Sequence, residues 1–209
     1  MSSTVPRPRT RKAPAERAAE IVAAATAVAR EQGLSALTLR SVAERAEITS
    51  GLVAHYQPSM DELVARVYTD LVEEEVRDVE RVVARADDPA VRLGILIDTL
   101  MDGAREELTV VWVEGWAMAR RSDALAAAVQ AQMQRWQALV EGIVTEGCRA
   151  GAFSTAEPDE VAWELIGMID GLNAQSLARG TDTTRFARRT ARAAEALVGA
   201  RPGSIPVTA

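Results

Sequence analysis

TLRSVAERAEITSGLVAHYQPSMDELV, running from Thr38 to Val64, reads as a short helix, a sharp turn, a second short helix and the opening of a third. Leu39, Val42, Ala43 and Ala46 recur at helical spacing, so the first helix buries that face. Thr38 precedes it and is placed to accept an orphan backbone N–H as its N-cap. Glu47-Ile48-Thr49 is too short for anything but a turn, with Ile48 apolar enough to plug between the helices. Ser50 is expected to cap a second helix through Tyr56, and the residue before Pro58 is driven out of helical geometry. Two short helices on a three-residue turn make a helix-turn-helix, whose second helix enters the major groove of DNA. Such a unit cannot bury a core alone and needs a helix on either side.

Both flanking helices are readable. Ala15 to Gln32 carries Ile21, Val22, Ala25, Val28 and Ala29 on one face, and Gly33 stands where a left-handed C-cap belongs. Ser59 followed by Glu62 has the form of a capping box opening the next helix. The run GLSALTLRSVAERA, Ser50-Gly51, His55-Tyr56, and Pro58-Ser59 before Asp61-Glu62-Leu63 together resemble the DNA-binding domain of the TetR family of transcriptional regulators. Three positions depart from the family pattern. Glu47 stands where glycine is usual, and a glutamate held in left-handed geometry costs on the order of 1 kcal/mol. Gln57 replaces an aromatic residue, and Met60 replaces a lysine, which removes one phosphate contact.

Charge is divided along the chain. Of 209 residues, 48% are hydrophobic and 26% charged, with a net charge of −6. Residues 1–60 hold eight Lys/Arg and five Glu, a net +3, whereas the remainder carries −9. Positive charge at one end is the electrostatic footprint expected for phosphate. Residues 1–14, with Arg7, Arg9, Arg11 and Lys12 among prolines, are expected to be a flexible basic arm. It either follows the DNA backbone or minor groove or is a solvated tail. No apolar run reaches the roughly 18 residues of a membrane span, and the N-terminus lacks a signal-peptide apolar region. Cys148 is the lone cysteine, so no internal disulfide is available. A cytoplasmic protein, on the nucleoid when bound to an operator, is the expectation.

Catalysis finds little support. The one histidine, His55, falls in the second short helix, and Cys148 has no other histidine to activate it. No metal-ligand spacing and no phosphate-cradling glycine loop occur, so no cofactor is expected. A helical interaction module without DNA binding is the other rival, and the basic first sixty residues argue against it.

From Ser59 onward the pattern is helical throughout. Helices are expected from Ser59 to about Arg85, Pro89 to about Leu108, around Trp112 and Trp116, and from Asp123 to Ala150. Two more run from Pro158 to about Arg179, closed by Gly180, and from about Thr183 to Val198. The fold class is therefore all-α. An N-terminal three-helix DNA-binding domain (residues 15–62) precedes a C-terminal helical bundle for ligand binding and dimerisation (residues 63–200), with a flexible tail over 201–209.

Trp112, Trp116 and Trp136, then Gly151-Ala152-Phe153 and Asp170-Gly171-Leu172, are similar to the C-terminal domain of the BetI-type branch of TetR regulators. The resemblance implies a homodimer on a palindromic double-stranded DNA operator, released when a small-molecule effector binds, with repression favoured over activation. DNA contacts are expected from Thr38, Arg40, Thr49, Ser50, Gly51, Leu52, Val53, His55 and Tyr56. Hydroxyls and Arg40 would take phosphates, and Leu52 or Val53 thymine methyl groups. Trp112 and Trp116 are four apart on one helix face, and aromatic faces hold cations. With Trp136, Met101, Asp98 and Asp170 they form the expected ligand site, and inward carboxylates, Glu114 and Asp102 among the candidates, would favour a cationic effector. The competing reading makes the tryptophans plain core and the carboxylates solvated. Leu165, Met168, Leu172, Phe186, Thr190 and Leu197 form the expected dimer interface, an intersubunit four-helix bundle by resemblance.

Overall fold

Pro14 takes the first position of the first helix, where its missing N–H costs nothing. The structure, a computed structural model, describes residues 13–180 and 184–208. Its helices are α1 (Pro14–Gln32), α2 (Leu39–Arg45), α3 (Ser50–Tyr56), α4 (Met60–Val83), α5 (Pro89–Met101), α6 (Glu106–Ala119), α7 (Asp123–Arg149), α8 (Pro158–Arg179) and α9 (Thr184–Leu197). A short 3-10 turn, Leu34–Ala36, links α1 to α2. No strand occurs among the described residues. The four basic residues of the expected N-terminal arm lie outside them.

The N-terminal half closes around Ile21, Ala25, Val28 and Ala29 of α1, Val42 and Ala43 of α2, Val53 of α3 and Leu63 of α4, all buried. Thr38 caps α2 as expected: its side chain accepts the Ser41 N–H, and Ser41 returns the bond to the Thr38 backbone. Glu47 does take the left-handed geometry, at φ 54°. The N–H of Ile48 reaches the Ala43 carbonyl at 3.0 Å and that of Glu47 reaches Glu44 at 3.3 Å, which is the double closure of a Schellman motif. The cap of α3 is Thr49 rather than Ser50, because its side chain accepts the Leu52 N–H. Gly33 has φ 88° and ψ 168°, a glycine conformation but not the expected left-handed cap.

Helix α4, about 36 Å long at 1.5 Å per residue, is common to both halves. Its first turns bury Leu63 and Val64 under α1, and further along Leu71, Val72, Val76 and Val79 lie within the core of the second half, where α4 and α8 both pack on α7. α5 stops at Met101, earlier than the expected Leu108. Gly103 turns the chain at φ 76°, and Asp102 Oδ1 accepts the Ala104 N–H at 2.8 Å, which seals the break. Gly180 ends α8 in left-handed geometry, as expected.

The tail corrects its expectation. Ile205 is buried and its N–H donates to Glu195 at 3.0 Å. The backbone N–H and the hydroxyl of Thr208 both donate to Asp98 Oδ2, at 2.7 and 2.8 Å. Residues 201–208 are thus fastened across α5 and α9, by contacts distant in sequence that no local pattern reveals.

Candidate DNA-binding and ligand-binding sites

Helix α3 presents Ser50, Gly51, Ala54 and His55 outward, one stripe of the pairs 50/54 and 51/55. Leu52 and Tyr56 flank it half-buried, and the Tyr56 ring meets the His55 ring edge-on at 5.2 Å. Val53 is a correction: it is fully buried in the three-helix core and cannot reach a base. Ala54 is exposed in its place, and period-3.6 spacing from Ser50 was the signal for that. Thr38, Arg40 and Thr49 are exposed. The Arg40 guanidinium pairs with Glu44 at 2.8 Å in an exposed i,i+4 pair, weak enough for a phosphate to displace.

The second half contains a small cavity of about 50 Å³ between α4, α6, α7 and α8, partly open to solvent. Trp112, Trp116 and Trp136 line it, with Asp170, Ile166, Ile169 and Asn173 from α8. The three tryptophans and Asp170 are therefore brought together. The Tyr68 and Trp112 rings meet edge to face at 5.5 Å, and those of Trp112 and Trp116 lie 5.9 Å apart. The Tyr68 hydroxyl and the indole N–H groups of Trp116 and Trp136 are buried without a partner.

Glu75 is the residue that sequence reasoning passes over. It lies in the acidic run Glu73-Glu74-Glu75, which reads as a solvated face. Yet it is 6% exposed and lines the cavity. Leu71 and Val79, one turn away on either side, were the available signal. Its Oε2 accepts the Trp112 indole N–H at 3.1 Å. Burial pushes the Glu75 carboxyl up, against the opposing pull of that N–H and of Arg105. Burial, and then the charge of Glu75, push Asp170 up to about 7. The Tyr68 phenol is raised too, by burial and by both carboxylates.

The remaining expectations for this site are corrected. Met101 is fully buried, and its sulfur accepts the Thr190 hydroxyl at 3.3 Å, so it is core. Asp98 holds Thr208 and does not line the cavity. Asp102 caps the loop after α5. Glu114 points away from the cavity, toward the DNA-binding half. Helix α6 thus has two working faces. Thr109, Trp112, Val113 and Trp116 line the cavity, while Glu107 and Glu114 meet Arg30 and Ser35 of the first half.

The residues expected at the dimer surface divide by their burial within the subunit. Leu165 and Thr190 are buried inside the subunit, because the stripe they belong to turns inward. Met168, Leu172, Phe186 and Leu197 are half-buried. The outward face of α8 instead carries Trp163, 64% exposed, with Gly167 and Gly171, whose Cα positions face open space.

Residues 21–67 match the family described as bacterial regulatory proteins, tetR family. Residues 92–199 match that described as BetI-type transcriptional repressor, C-terminal. The HTH-type transcriptional regulator BetI of Burkholderia cenocepacia is 31% identical over 182 residues, which is 84% of this chain and 90% of its own. The crystal structure of a TetR-family transcriptional regulator from Rhodococcus sp. has the same fold, with a TM-score of 0.73 at 18% identity over 88% of this chain and 99% of its own. So does the multidrug binding protein EbrR complexed with proflavin, with a TM-score of 0.66 at 21% identity over 87% and 99%. The motif in α2 and α3 and the matched second half agree, and the chain belongs to the TetR family of transcriptional regulators, in its BetI-type branch.

Proposed function

We propose that the protein is a repressor released from its operator by an organic cation. A homodimer holds two copies of α3 against successive major grooves of a palindromic site, with Ser50, Gly51, Ala54 and His55 toward bases and Thr38, Arg40, Thr49 and Tyr56 toward phosphates. The outward face of α8, with Trp163, Gly167 and Gly171, pairs with its copy, and half-buried Met168, Leu172, Phe186 and Leu197 border that surface. The effector occupies the cavity, its cationic centre against Trp112 and Trp116 and near Glu75 and Asp170.

One observation carries the reading: a single helix, α6, walls the cavity with Trp112 and Trp116 and grips the DNA-binding half with Glu114. A ligand that shifts α6 must therefore shift the DNA-binding half. Cations suit the cavity because quaternary and aromatic ammonium ions bind indole faces, and one buried and one half-buried carboxylate favour positive charge. The family's name for its C-terminal domain supports repression, and proflavin, bound by EbrR, is a cationic aromatic. Release requires the effector to prefer the DNA-incompetent state by about 1–3 kcal/mol, the usual range of allosteric coupling.

The test uses fluorescence anisotropy of a labelled duplex taken from upstream of the protein's own gene, titrated with benzyltrimethylammonium and with benzyl alcohol. Release by the cation alone is expected. Release by both would assign recognition to the rings rather than the charge, tightening by the cation would reverse the sign of regulation, and absence of any duplex binding would leave a helical module without an operator there.

A further inference from the structure

The two carboxylates of the cavity form no ion pair and share a single cation, Arg105, at its edge. None of the ion pairs among the described residues engages Glu75 or Asp170. The charged and titratable groups that face them can be counted by element. Helix α4 brings Glu75 itself, the Tyr68 hydroxyl and, beyond the cavity, Asp78. The start of α6 brings Arg105, the one cation of the lining. From α5 comes Leu100 and from α7 come Met133 and Trp136, none of them titratable. Asn173 of α8 directs its amide to the Leu100 carbonyl at 3.1 Å. One guanidinium at the edge thus faces two carboxylates inside apolar walls. Two like charges sharing such a site cannot both stay ionised at ordinary cost, so one must be neutralised.

We propose that the cavity exchanges a proton for its effector: Glu75 and Asp170 hold a proton between them when it is empty, and a permanently charged organic monocation expels that proton on entering. The step breaks one carboxyl O–H bond, sends the proton to the buffer and leaves a carboxylate beside the incoming cation. Charge inside the cavity is the same before and after. That constancy is what makes the exchange favourable in a medium where uncompensated charge is costly. Burial of both groups, with their raised titration, fits a proton resident near neutral pH. The consequence is chemical selectivity. A cation with fixed charge gains affinity as protons become scarce, whereas a neutral aromatic of the same size gains nothing. The effector signal is therefore read together with internal pH.

This inference rests on the cation reading of the cavity, and the experiment separates the two. The full-length wild-type dimer is titrated calorimetrically with benzyltrimethylammonium, which has no titratable group, at pH 6, 7 and 8.5 in buffers of different ionisation enthalpy. Close to one proton released per site is expected at pH 6, falling toward none at pH 8.5. Affinity should rise by about tenfold per pH unit in the acid limb and then level off. Asp170→Asn should bind the cation with proton release reduced by at least half and a flattened pH profile; Glu75→Gln tests the other carboxylate in the same way. Binding with pH-independent affinity and no buffer-dependent heat overturns the exchange and leaves the cation site standing. No binding of the cation at any pH overturns both. The wild-type measurement decides the question even if a variant does not fold.

Discussion

The carboxylate of Glu114 accepts both the backbone N–H of Ser35, at 3.0 Å, and its hydroxyl, at 2.6 Å, across the junction of the two halves. Gly33 makes room for it: a Cβ there would lie 2.5 Å from Glu114 Oε2. Trp112 and Trp116 flank Glu114 in sequence and face the cavity on the opposite side of α6. Arg30 adds a second tie, to Glu74 of α4 at 2.6 Å and Glu107 of α6 at 3.2 Å. Glu114→Ala should cost about 1–3 kcal/mol of stability, since it removes two hydrogen bonds to a charged group. Effector affinity, read from tryptophan fluorescence, should change less than twofold. The drop in operator affinity caused by saturating effector should shrink by about tenfold, or 1.4 kcal/mol of coupling. An unchanged drop would mean that α4 alone transmits the signal.

Gly51 separates contact with DNA from stability. It is exposed on α3, and a Cβ there would meet nothing within 4 Å in the free protein. Gly51→Ala should therefore keep or raise the melting temperature, with a gain of up to about 1 kcal/mol from restricting the unfolded chain. Operator affinity should fall by about tenfold or more, because the added methyl would stand where α3 lies against the groove. Unchanged affinity by anisotropy would show that residue 51 stays clear of the duplex.

Trp163 tests the subunit interface. Its side chain makes little contribution to the subunit's own core, so Trp163→Glu should leave the helical circular dichroism intact. In a dimer the same change places an unpaired charge in a closed contact, at a cost of several kcal/mol, about 3–5 by analogy with broken buried pairs. Light scattering should then report one chain instead of two, and operator binding should weaken with it. A stable Trp163→Glu dimer would move the interface to another face.

The DNA-binding half was legible because local chemistry decides it. Thr38 caps α2, Glu47 closes the Schellman turn and Val42 and Ala43 fix the buried face, all within ten residues. The cavity was legible only in part. Trp112, Trp116 and Asp170 share a site as their helix faces suggested. Asp98 and Asp170, however, sit in equally apolar surroundings in sequence, at Ile97-Asp98 and Ile169-Asp170. Only the return of Thr208 across α5 distinguishes them. Leu165 and Trp163 show the same limit: helical spacing does not say which face of α8 the rest of the subunit covers.

Asp170 also sets how stability responds to pH. An aspartate in an unfolded chain titrates near 4, and folding raises this one to about 7. Between those values the folded protein keeps a proton that the unfolded chain has released. Its stabilising contribution is therefore complete below about pH 4, declines as pH rises toward 7 and is absent above that. With allowance for water reaching the half-buried group, the change is on the order of 1–3 kcal/mol across the window. Asp170→Asn has no proton to lose and should be flat over the same range. Other carboxylates titrate in both proteins and largely cancel in the difference. Urea midpoints measured at half-unit steps from pH 4.5 to 8, without effector, should show wild type losing ground to Asp170→Asn up to about pH 7 and holding a constant deficit beyond. Parallel profiles for the two proteins would place Asp170 in a water-like environment and remove the physical basis for a charge-selective cavity.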